Sequence, residues 1–358
     1  MYKINNSSDK LNVCMLGKTY EPSVFSYIDD VSVRNTLENL VIETAEDLGQ
    51  IEKLLLSHNI EVLRPTDTTV RIGKKLLPSM LTPRDHLAMI GSTFYMPTPS
   101  LNTKWNTLRG ESWPINPPNN IDELELYIQQ ELKTFGVNSI EDLFDYDFSC
   151  FKSLENKISG QHIVYDQKID SAMYRLFNNK IYVGTWPGDD INSVQQKANK
   201  LFPNYECIIL PSEGHLDGVM FIACEGLIFS SRDIDISVYN KIFPGWQIVY
   251  NNSSISLNNS NQSPNNNKWI LKDTEHNTVF CEFVEHYFST WTGDISESTF
   301  DVNMLFLDEN NVACVTVNEN NFKILEQYGI TPHVFPFRHI NFWDSGLHCL
   351  TADIDRGK

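Results

Sequence analysis

A basic excess is absent from this sequence: its 358 residues include 28 Lys and Arg against 46 Asp and Glu, a formal net charge of -18. Binding to a phosphate backbone needs a basic face, so this charge argues against nucleic acid as a partner. No run approaches the roughly 20 apolar residues of a membrane span, and residues 1–12 show neither the apolar core nor the Arg-rich pattern of a targeting segment. We therefore expect a soluble, cytoplasmic protein with no membrane partner.

The Cys-x-x-Cys spacing is also absent, although the chain contains seven cysteines. An odd number of scattered cysteines is typical of reduced thiols and argues against a disulfide framework or a zinc ribbon. The Asn- and Ser-rich stretch at 251–267 has few apolar residues, which indicates an exposed loop insertion and not a linker between domains. Closed architectures often hold this much chain as one unit, so we predict a single domain over 1–358.

What the sequence does contain is one order of elements that recurs five times without any residue-level repeat. Each round has a helix, a strand, polar residues and a hairpin, and it is clearest from 191 to 229, where the helix carries an apolar stripe and Glu225-Gly226 forms the turn. Strands are predicted at 12–17, 60–65, 86–91, 93–96, 162–165, 172–176, 181–184, 207–210, 219–222, 227–229, 246–250, 304–307, 312–315, 330–337 and 350–354. Helices are predicted at 41–58, 191–201, 238–243 and 321–328, with helical segments between 119 and 156.

Repetition of one unit with polar residues in a constant place favours a radial architecture, in which every unit delivers a loop to a common centre. The predicted fold is therefore α/β, a five-bladed α/β propeller of ββαβ-type units around a central site. The last hairpin lacks its second half. We expect the N-terminal strand around Cys14 to supply it, which closes the ring and removes exposed edges.

If the five loops meet, the residues at the centre are Asp85, Asp170, His215, Asp217, Ser296, His348 and Cys349. Cys349 precedes the final strand, and a thiolate there would be a good nucleophile. Simpler interpretations stay open: Cys349 as a small buried hydrophobe, Asp85 and Asp170 as turn or helix-cap acids, and His215 as a surface histidine. Zinc takes the same ligand types, but the ligands would come from distant loops with no close pair of cysteines, so we predict no metal site. His348 is interpreted as a strand residue.

Five short motifs follow one another at the ends of these elements. They are Pro83-Arg84-Asp85, Asp170-Ser171-Ala172, His215-Leu216-Asp217, Val302-Asn303-Met304-Leu305-Phe306-Leu307-Asp308 and Leu347-His348-Cys349-Leu350-Thr351-Ala352-Asp353. Their order resembles that of the glycine amidinotransferase family, in the guanidino-group-modifying (pentein) superfamily of five-bladed α/β propellers. The resemblance covers most of the chain, from the predicted helix and strand that end at 63–65 to Asp353. It implies that Cys349 is the nucleophile, His215 the general acid/base and Asp170 the acid that orients the histidine.

The same resemblance implies a set of substrate-binding residues. Asp85 and Asp217 match carboxylates that hold a guanidinium, Arg232 lies near an arginine for the donor's carboxylate, and Ser296 matches a serine of the donor-binding loop. A guanidinium is planar, cationic and forked, so two carboxylates can fix its plane and leave its central carbon open to attack. Nearby carboxylates should also raise the pKa of the Cys349 thiol, an effect that the arriving cation and His215 have to offset.

The activity that the resemblance implies is amidino transfer by a ping-pong mechanism. Cys349 takes the amidino group of arginine and releases ornithine, and an amine then removes it, most simply glycine, giving guanidinoacetate. The expected partners are these small molecules, no organic cofactor or metal is required, and a homodimer is left open. Two alternatives stay open as well: a hydrolase of the same superfamily that releases citrulline, and a non-catalytic propeller that serves as a binding module.

Overall fold

The structure is a computed structural model, and it describes residues 2–66, 71–72, 75–76, 79–97, 126, 129–130, 154, 157–166, 170–231, 234–251, 277–288, 292 and 301–357. The helical segments predicted between 119 and 156 and the predicted loop insertion at 251–267 lie almost entirely outside these residues. None of the helices in the described part combines the length and hydropathy needed to cross a membrane.

The strands are short, as expected from the brief apolar runs between turn residues. They are β1 (Leu11–Leu16), β2 (Glu61–Leu63), β3 (Arg71–Ile72), β4 (Lys75–Leu76), β5 (Ala88–Ile90), β6 (Thr93–Pro97), β7 (His162–Asp166), β8 (Tyr174–Phe177), β9 (Lys180–Val183), β10 (Glu206–Ile209), β11 (Met220–Cys224), β12 (Leu227–Ser230), β13 (Gln247–Tyr250), β14 (Leu305–Asp308), β15 (Asn311–Cys314), β16 (Thr331–Val334) and β17 (Thr351–Arg356). The helices are α1 (Val31–Ser57), α2 (Ile191–Leu201), α3 (Leu216–Val219), α4 (Ile236–Ile242), α5 (Thr278–Tyr287), α6 (Glu319–Gln327) and α7 (Ile340–Trp343). Turns of 3-10 helix span Pro22–Phe25, Pro83–Asp85 and Ser171–Met173.

Within the described residues, five three-stranded sheets share one topology. They are β17-β1-β2, β5-β6-β7, β8-β9-β10, β11-β12-β13 and β14-β15-β16. In each, an antiparallel pair is followed by a third strand that pairs parallel with the second. A parallel partner requires a crossover, which α1, α2, α4 and α6 provide in four of the sheets. The predicted α/β class is confirmed.

The first sheet joins the two ends of the chain. Strand β1 pairs antiparallel with β17, with Cys14 opposite Asp353, and parallel with β2. The prediction that the N-terminal strand completes the last hairpin is therefore confirmed.

The first residues of the helices agree with the sequence-based prediction in some cases and differ from it in others. Helix α2 occupies the predicted residues, and Asp190 caps it by accepting hydrogen bonds from the backbone N–H groups of Asn192 and Ser193. Helix α1 begins well before the predicted residue 41, because Asp30 caps it by accepting from the N–H of Val33 and the buried stripe already starts there. Helices α4 and α6 also begin slightly earlier than predicted, each behind an Asx cap.

Apolar clusters connect sheets that follow one another in the chain. Phe177 of β8 packs in one cluster with Ile222 of β11 and Ile228 of β12. Another cluster joins Phe221 of β11 to Phe306 of β14, and a third contains residues of β1 and β14 together. The sheets thus pack in chain order, and the last also packs against the first.

This arrangement places one polar segment ahead of each hairpin. Asp85 precedes β5, Asp170 precedes β8, Asp217 precedes β11, Asn303 precedes β14 and Cys349 precedes β17. The fold therefore delivers five loops of equivalent position, and their contacts define the candidate site.

Candidate active site

Two 3-10 turns bring Asp85 and Asp170 together. The hydroxyl of Ser171, next to Asp170, donates to the carbonyl oxygen of Leu87 at 2.5 Å and also contacts that of Arg84. This hydroxyl ties the two turns to each other. As a result one carboxylate oxygen of each aspartate and a ring nitrogen of His215 lie within 4.8 Å of one another.

Asp170 has two roles, one for each oxygen. Its Oδ1 accepts from the N–H of Ala172 at 3.2 Å, so the interpretation as a cap acid is correct. Its Oδ2 lies 2.9 Å from Nε2 of His215, a distance at which a carboxylate orients an imidazole and stabilises its protonated form. His215 stands at the start of α3, and the ring of Trp186 packs edge-on against it with centroids 5.2 Å apart.

Asp85 is half-buried, as are Asp170 and His215. Its Oδ1 is buried and accepts no hydrogen bond from any residue in the described ranges. Burial raises the pKa of Asp85 to about 6, the charge of His215 opposes that rise, and the carboxylate of Asp170 adds to it. A buried acceptor of this kind favours either a proton or a cationic donor.

Cys349 belongs to a second group, built around Asp217. Its Sγ lies 3.4 Å from Oδ2 of Asp217, and Nδ1 of His348 lies 2.8 Å from the same oxygen. Burial alone would raise the pKa of Asp217, but the hydrogen bond from His348 and the charge of Arg175 hold it well below its usual value. Asp217 is fully buried, and its Oδ1 has no hydrogen-bond partner in the described part of the chain.

Asn303 fixes the geometry of the thiol. Its Nδ2 donates to Sγ of Cys349 at 3.0 Å, while its Oδ1 accepts from the backbone N–H groups of His348 and Cys349 at 2.8 and 3.1 Å. A Cβ on Gly346 would lie 2.5 Å from Oδ1 of Asn303, so only glycine permits this close approach. Cys349 is therefore not simply a small buried hydrophobe, although it is only 7 % exposed.

Buried charged residues hold the loop that carries Cys349 in place. Nε of Arg84 donates to the carbonyl oxygens of His348 and Thr351 at 2.8 and 2.9 Å, on either side of Cys349. Arg84 and Arg356 share the carboxylate of Asp353, each at 2.7 Å. Burial alone would raise the pKa of Asp353, but these two guanidinium groups hold it far below its usual value.

The group around Asp170 and the group around Asp217 are linked by residues that are close in sequence. Asp217 follows His215 by two residues at the start of α3, and the charge of His215 contributes to the lowered pKa of Asp217. Arg84, adjacent to Asp85, contacts the backbone around Cys349. Five of the predicted residues are thus brought together: Asp85, Asp170, His215, Asp217 and Cys349.

Two other predicted residues, Arg232 and Ser296, lie outside the described residues. The interpretation of His348 as a strand residue is wrong. It lies in the turn before β17, is almost fully buried, and connects Arg175 to Asp217. If a cation binds, the available ligands are the two carboxylates and the imidazole of Asp85, Asp170 and His215.

The sequence reasoning missed the roles of Asn303 and Arg175. Asn303 is a polar residue between Val302 and Met304, at the position before a hairpin that Asp85, Asp170, Asp217 and Cys349 also occupy. Arg175 is a charged residue within the short strand β8, whose other residues are apolar or aromatic. Each of these features was a usable signal.

Comparisons with known proteins agree with this architecture. No protein-family model and no curated protein matches the chain. Among solved structures, SxtG, an amidinotransferase from Microseira wollei in saxitoxin biosynthesis, has a TM-score of 0.59 at 14% identity, covering 100% of this chain and 98% of its own. The inosamine-phosphate amidinotransferase StrB1 from Streptomyces griseus has a TM-score of 0.58 at 14% identity, with 100% and 97% covered. The product-bound N-terminal domain of ArgZ, a cyanobacterial arginine dihydrolase, has a TM-score of 0.51 at 10% identity, with 97% and 98% covered.

At such low sequence identity, these structural similarities show a shared fold. The structural neighbours are amidinotransferases and other enzymes of the pentein superfamily, so the resemblance inferred from the motifs is confirmed as a likeness of fold.

Proposed function

We propose that this protein is an amidinotransferase that moves the amidino group of arginine through a covalent intermediate on Cys349 to an amine acceptor, with glycine the expected acceptor. The products are ornithine and guanidinoacetate. The five sheets are the blades of one propeller in a single domain over 1–358, and the protein acts in the cytoplasm. One observation carries the proposal: Asp85 and Asp217 each keep a buried carboxylate oxygen without a hydrogen-bond partner among the described residues, beside an imidazole and a thiol.

Donor binding follows from these two oxygens. A buried acceptor without a partner costs free energy, and a ligand that donates N–H groups to both removes that cost. A guanidinium offers such donors in one plane together with a positive charge, which suits two carboxylates. Clamped in this way, the group presents its central carbon to a nucleophile from one face.

Cys349 is that nucleophile. Its sulfur attacks the guanidinium carbon as a thiolate, and the amide of Asn303 hydrogen-bonds to it. The tetrahedral adduct collapses when imidazolium His215 gives its proton to the leaving amine, the C–N bond breaks and ornithine departs. Asp170, 2.9 Å from the ring, stabilises the protonated state of His215.

The second half reverses these steps. Neutral His215 takes a proton from the acceptor amine, which attacks the amidino carbon, and the C–S bond breaks to restore the Cys349 thiolate. No metal or organic cofactor is required by this sequence of steps. Arg232 and Ser296 are proposed to bind the carboxylate and amino group of the donor.

Two of the neighbours support transfer. SxtG and StrB1, with TM-scores of 0.59 and 0.58, are amidinotransferases, and the match covers nearly their whole length. The likeness to the N-terminal domain of an arginine dihydrolase supports a second candidate, in which water replaces the acceptor amine. In that case citrulline is the product.

The test is to incubate purified protein with arginine and a panel of amines, glycine first, and to measure ornithine and citrulline. If the protein is a transferase, ornithine should form only when an amine is added. Formation of citrulline alone would overturn this proposal and favour hydrolysis. Cys349→Ser should abolish product, while Cys207→Ser, a matched change of a cysteine on β10, should leave it unchanged. No product from any amine with wild-type protein would leave only the binding-module alternative.

A further inference from the structure

Arg175 is a charged residue inside a short apolar strand. It lies on β8 with 8% of its surface exposed, and its Nη1 is hydrogen-bonded to Nε2 of His348. Its Nε and Nη2 are buried and have no hydrogen-bond partner in the described ranges. A buried guanidinium that contacts none of the described carboxylates directly is costly, and the proposed mechanism gives it no task.

The contact with His348 determines the protonation of that ring. A guanidinium can only donate hydrogen bonds, so Nε2 of His348 has to be the acceptor and carries no proton. The proton is then on Nδ1, which donates to Oδ2 of Asp217 at 2.8 Å. Burial, together with the charges of Arg175 and Arg84, lowers the pKa of His348 well below its usual value, in agreement with a neutral ring.

The charges around this ring do not balance while Cys349 is a thiol. The positive groups are Arg84, Arg175 and Arg356, and the negative groups are Asp217 and Asp353. Since Arg84 and Arg356 share Asp353, Arg175 is left with Asp217, reached through His348. One positive charge is in excess, and ionisation of Cys349 would cancel it.

Other groups face the same thiol. Asn303 donates to its sulfur, and His215, which is paired with Asp170, acts on Asp217 through its charge. Asp217, 3.4 Å away, disfavours a thiolate. Of the groups linked to Asp217 by hydrogen bonds, Arg175 is the one whose fixed positive charge counters that effect.

We propose that Arg175 is a positioning residue for the nucleophile: through the neutral ring of His348 it holds Asp217 beside Cys349 and offsets its negative charge, so that Cys349 reacts as a thiolate. This inference rests on the proposed role of Cys349 as nucleophile. It concerns thiol ionisation and not turnover, so the two can fail separately.

The experiment measures the rate of alkylation of Cys349 by iodoacetamide in the full chain as a function of pH, with the modified peptide identified by mass spectrometry. In Arg175→Met the pKa of the thiol should rise by about one unit or more, which makes alkylation at neutral pH about tenfold slower. Arg175→Lys keeps the charge and should keep the pKa near that of wild type. Arg338→Met removes a cation that pairs with Asp47 at the surface of α1, and it should leave the pKa unchanged.

A wild-type thiol pKa in folded Arg175→Met would overturn the proposal. So would an equal rise in Arg175→Lys, because the effect would then come from packing. If Arg175→Met does not fold, Arg175→Gln makes the same comparison, since it keeps a donor for His348 and loses the charge. If the protein transfers the amidino group but the pKa of the Cys349 thiol is unchanged in these variants, only this inference is wrong. If the pKa rises as predicted but no amidino transfer occurs, only the proposed function is wrong.

Discussion

The sulfur of Cys349 lies 3.4 Å from Oδ2 of Asp217, a residue 132 positions earlier in the chain. The two residues precede the first strands of different hairpins, β17 and β11, and Asn303 ahead of β14 contacts both. A repeated position in the fold, and not closeness in sequence, assembles this chemistry. The predictions below test what each contact contributes.

Asp170→Asn removes the charge that faces His215 but keeps an oxygen for the cap at Ala172. We expect turnover to fall about 10²–10⁴-fold with little loss of stability, because an amide cannot stabilise the imidazolium form. Asp170→Ala should lose activity to a similar extent and also lose about 1 kcal/mol of unfolding free energy with the cap. Steady-state kinetics and denaturant unfolding of the two variants separate these effects. Near wild-type turnover in Asp170→Asn would exclude the orienting role.

Asn303→Asp keeps the acceptor for the N–H groups of His348 and Cys349 but places a carboxylate beside the sulfur. The pKa of the Cys349 thiol should therefore rise, and alkylation at neutral pH should slow by about tenfold or more. Gly346→Ala should slow turnover as well, because its Cβ would displace the Asn303 amide. If Asn303→Asp is alkylated at the wild-type rate across the pH range, the contact between Asn303 and the sulfur does not influence ionisation of the Cys349 thiol.

Asp85→Asn should stabilise the fold at neutral pH. The pKa of Asp85 is about 6 in the folded protein against 3.8 for an ordinary aspartate, so between these values the folded state holds a proton that the unfolded chain releases. Unfolding free energy therefore falls as pH rises through this window, and ionised Asp85 costs roughly 1–3 kcal/mol above it. Chemical denaturation should show Asp85→Asn more stable than wild type at pH 7 and equal below the ordinary pKa. Equal stability at pH 7 would contradict this account.

Arginine binding should share that pH dependence. Protonated Asp85 cannot pair with a guanidinium, so the dissociation constant should rise by up to about tenfold for each pH unit below about 6. Calorimetric titration of Cys349→Ser with arginine measures binding without reaction. In the Asp85→Asn, Cys349→Ser double variant, binding should be weak and nearly independent of pH over this range. A wild-type profile in the double variant would remove Asp85 from the donor site.

The regular elements were largely predictable because local periodicity and caps specify them. Asp190 and the apolar stripe behind it defined α2, and the unfinished last hairpin indicated that β1 pairs with β17. The early start of α1 was missed because Asp30 was not recognised as a cap. At the site, the recurring position before each hairpin pointed to Asp85, Asp170, Asp217 and Cys349, each of which precedes a hairpin in the structure.

That position could not identify every functional side chain. Among the described residues ahead of β14, Asn303 contacts Cys349, whereas the family resemblance pointed to Ser296, which lies outside the described residues. The roles of Arg175 and His348 depend on which face of a strand or turn is directed inward. Only tertiary packing decides that, since the same residues on the outer face would be solvated charges.

The central claim is that Cys349 carries the amidino group between donor and acceptor. The most direct measurement is the intact mass of the protein after mixing with arginine in the absence of an amine, followed by addition of glycine. We predict a mass increase of one amidino group, located on Cys349, with release of about one equivalent of ornithine, and its disappearance as guanidinoacetate forms. Unchanged mass together with steady citrulline formation, or the same adduct in Cys349→Ser, would contradict the account.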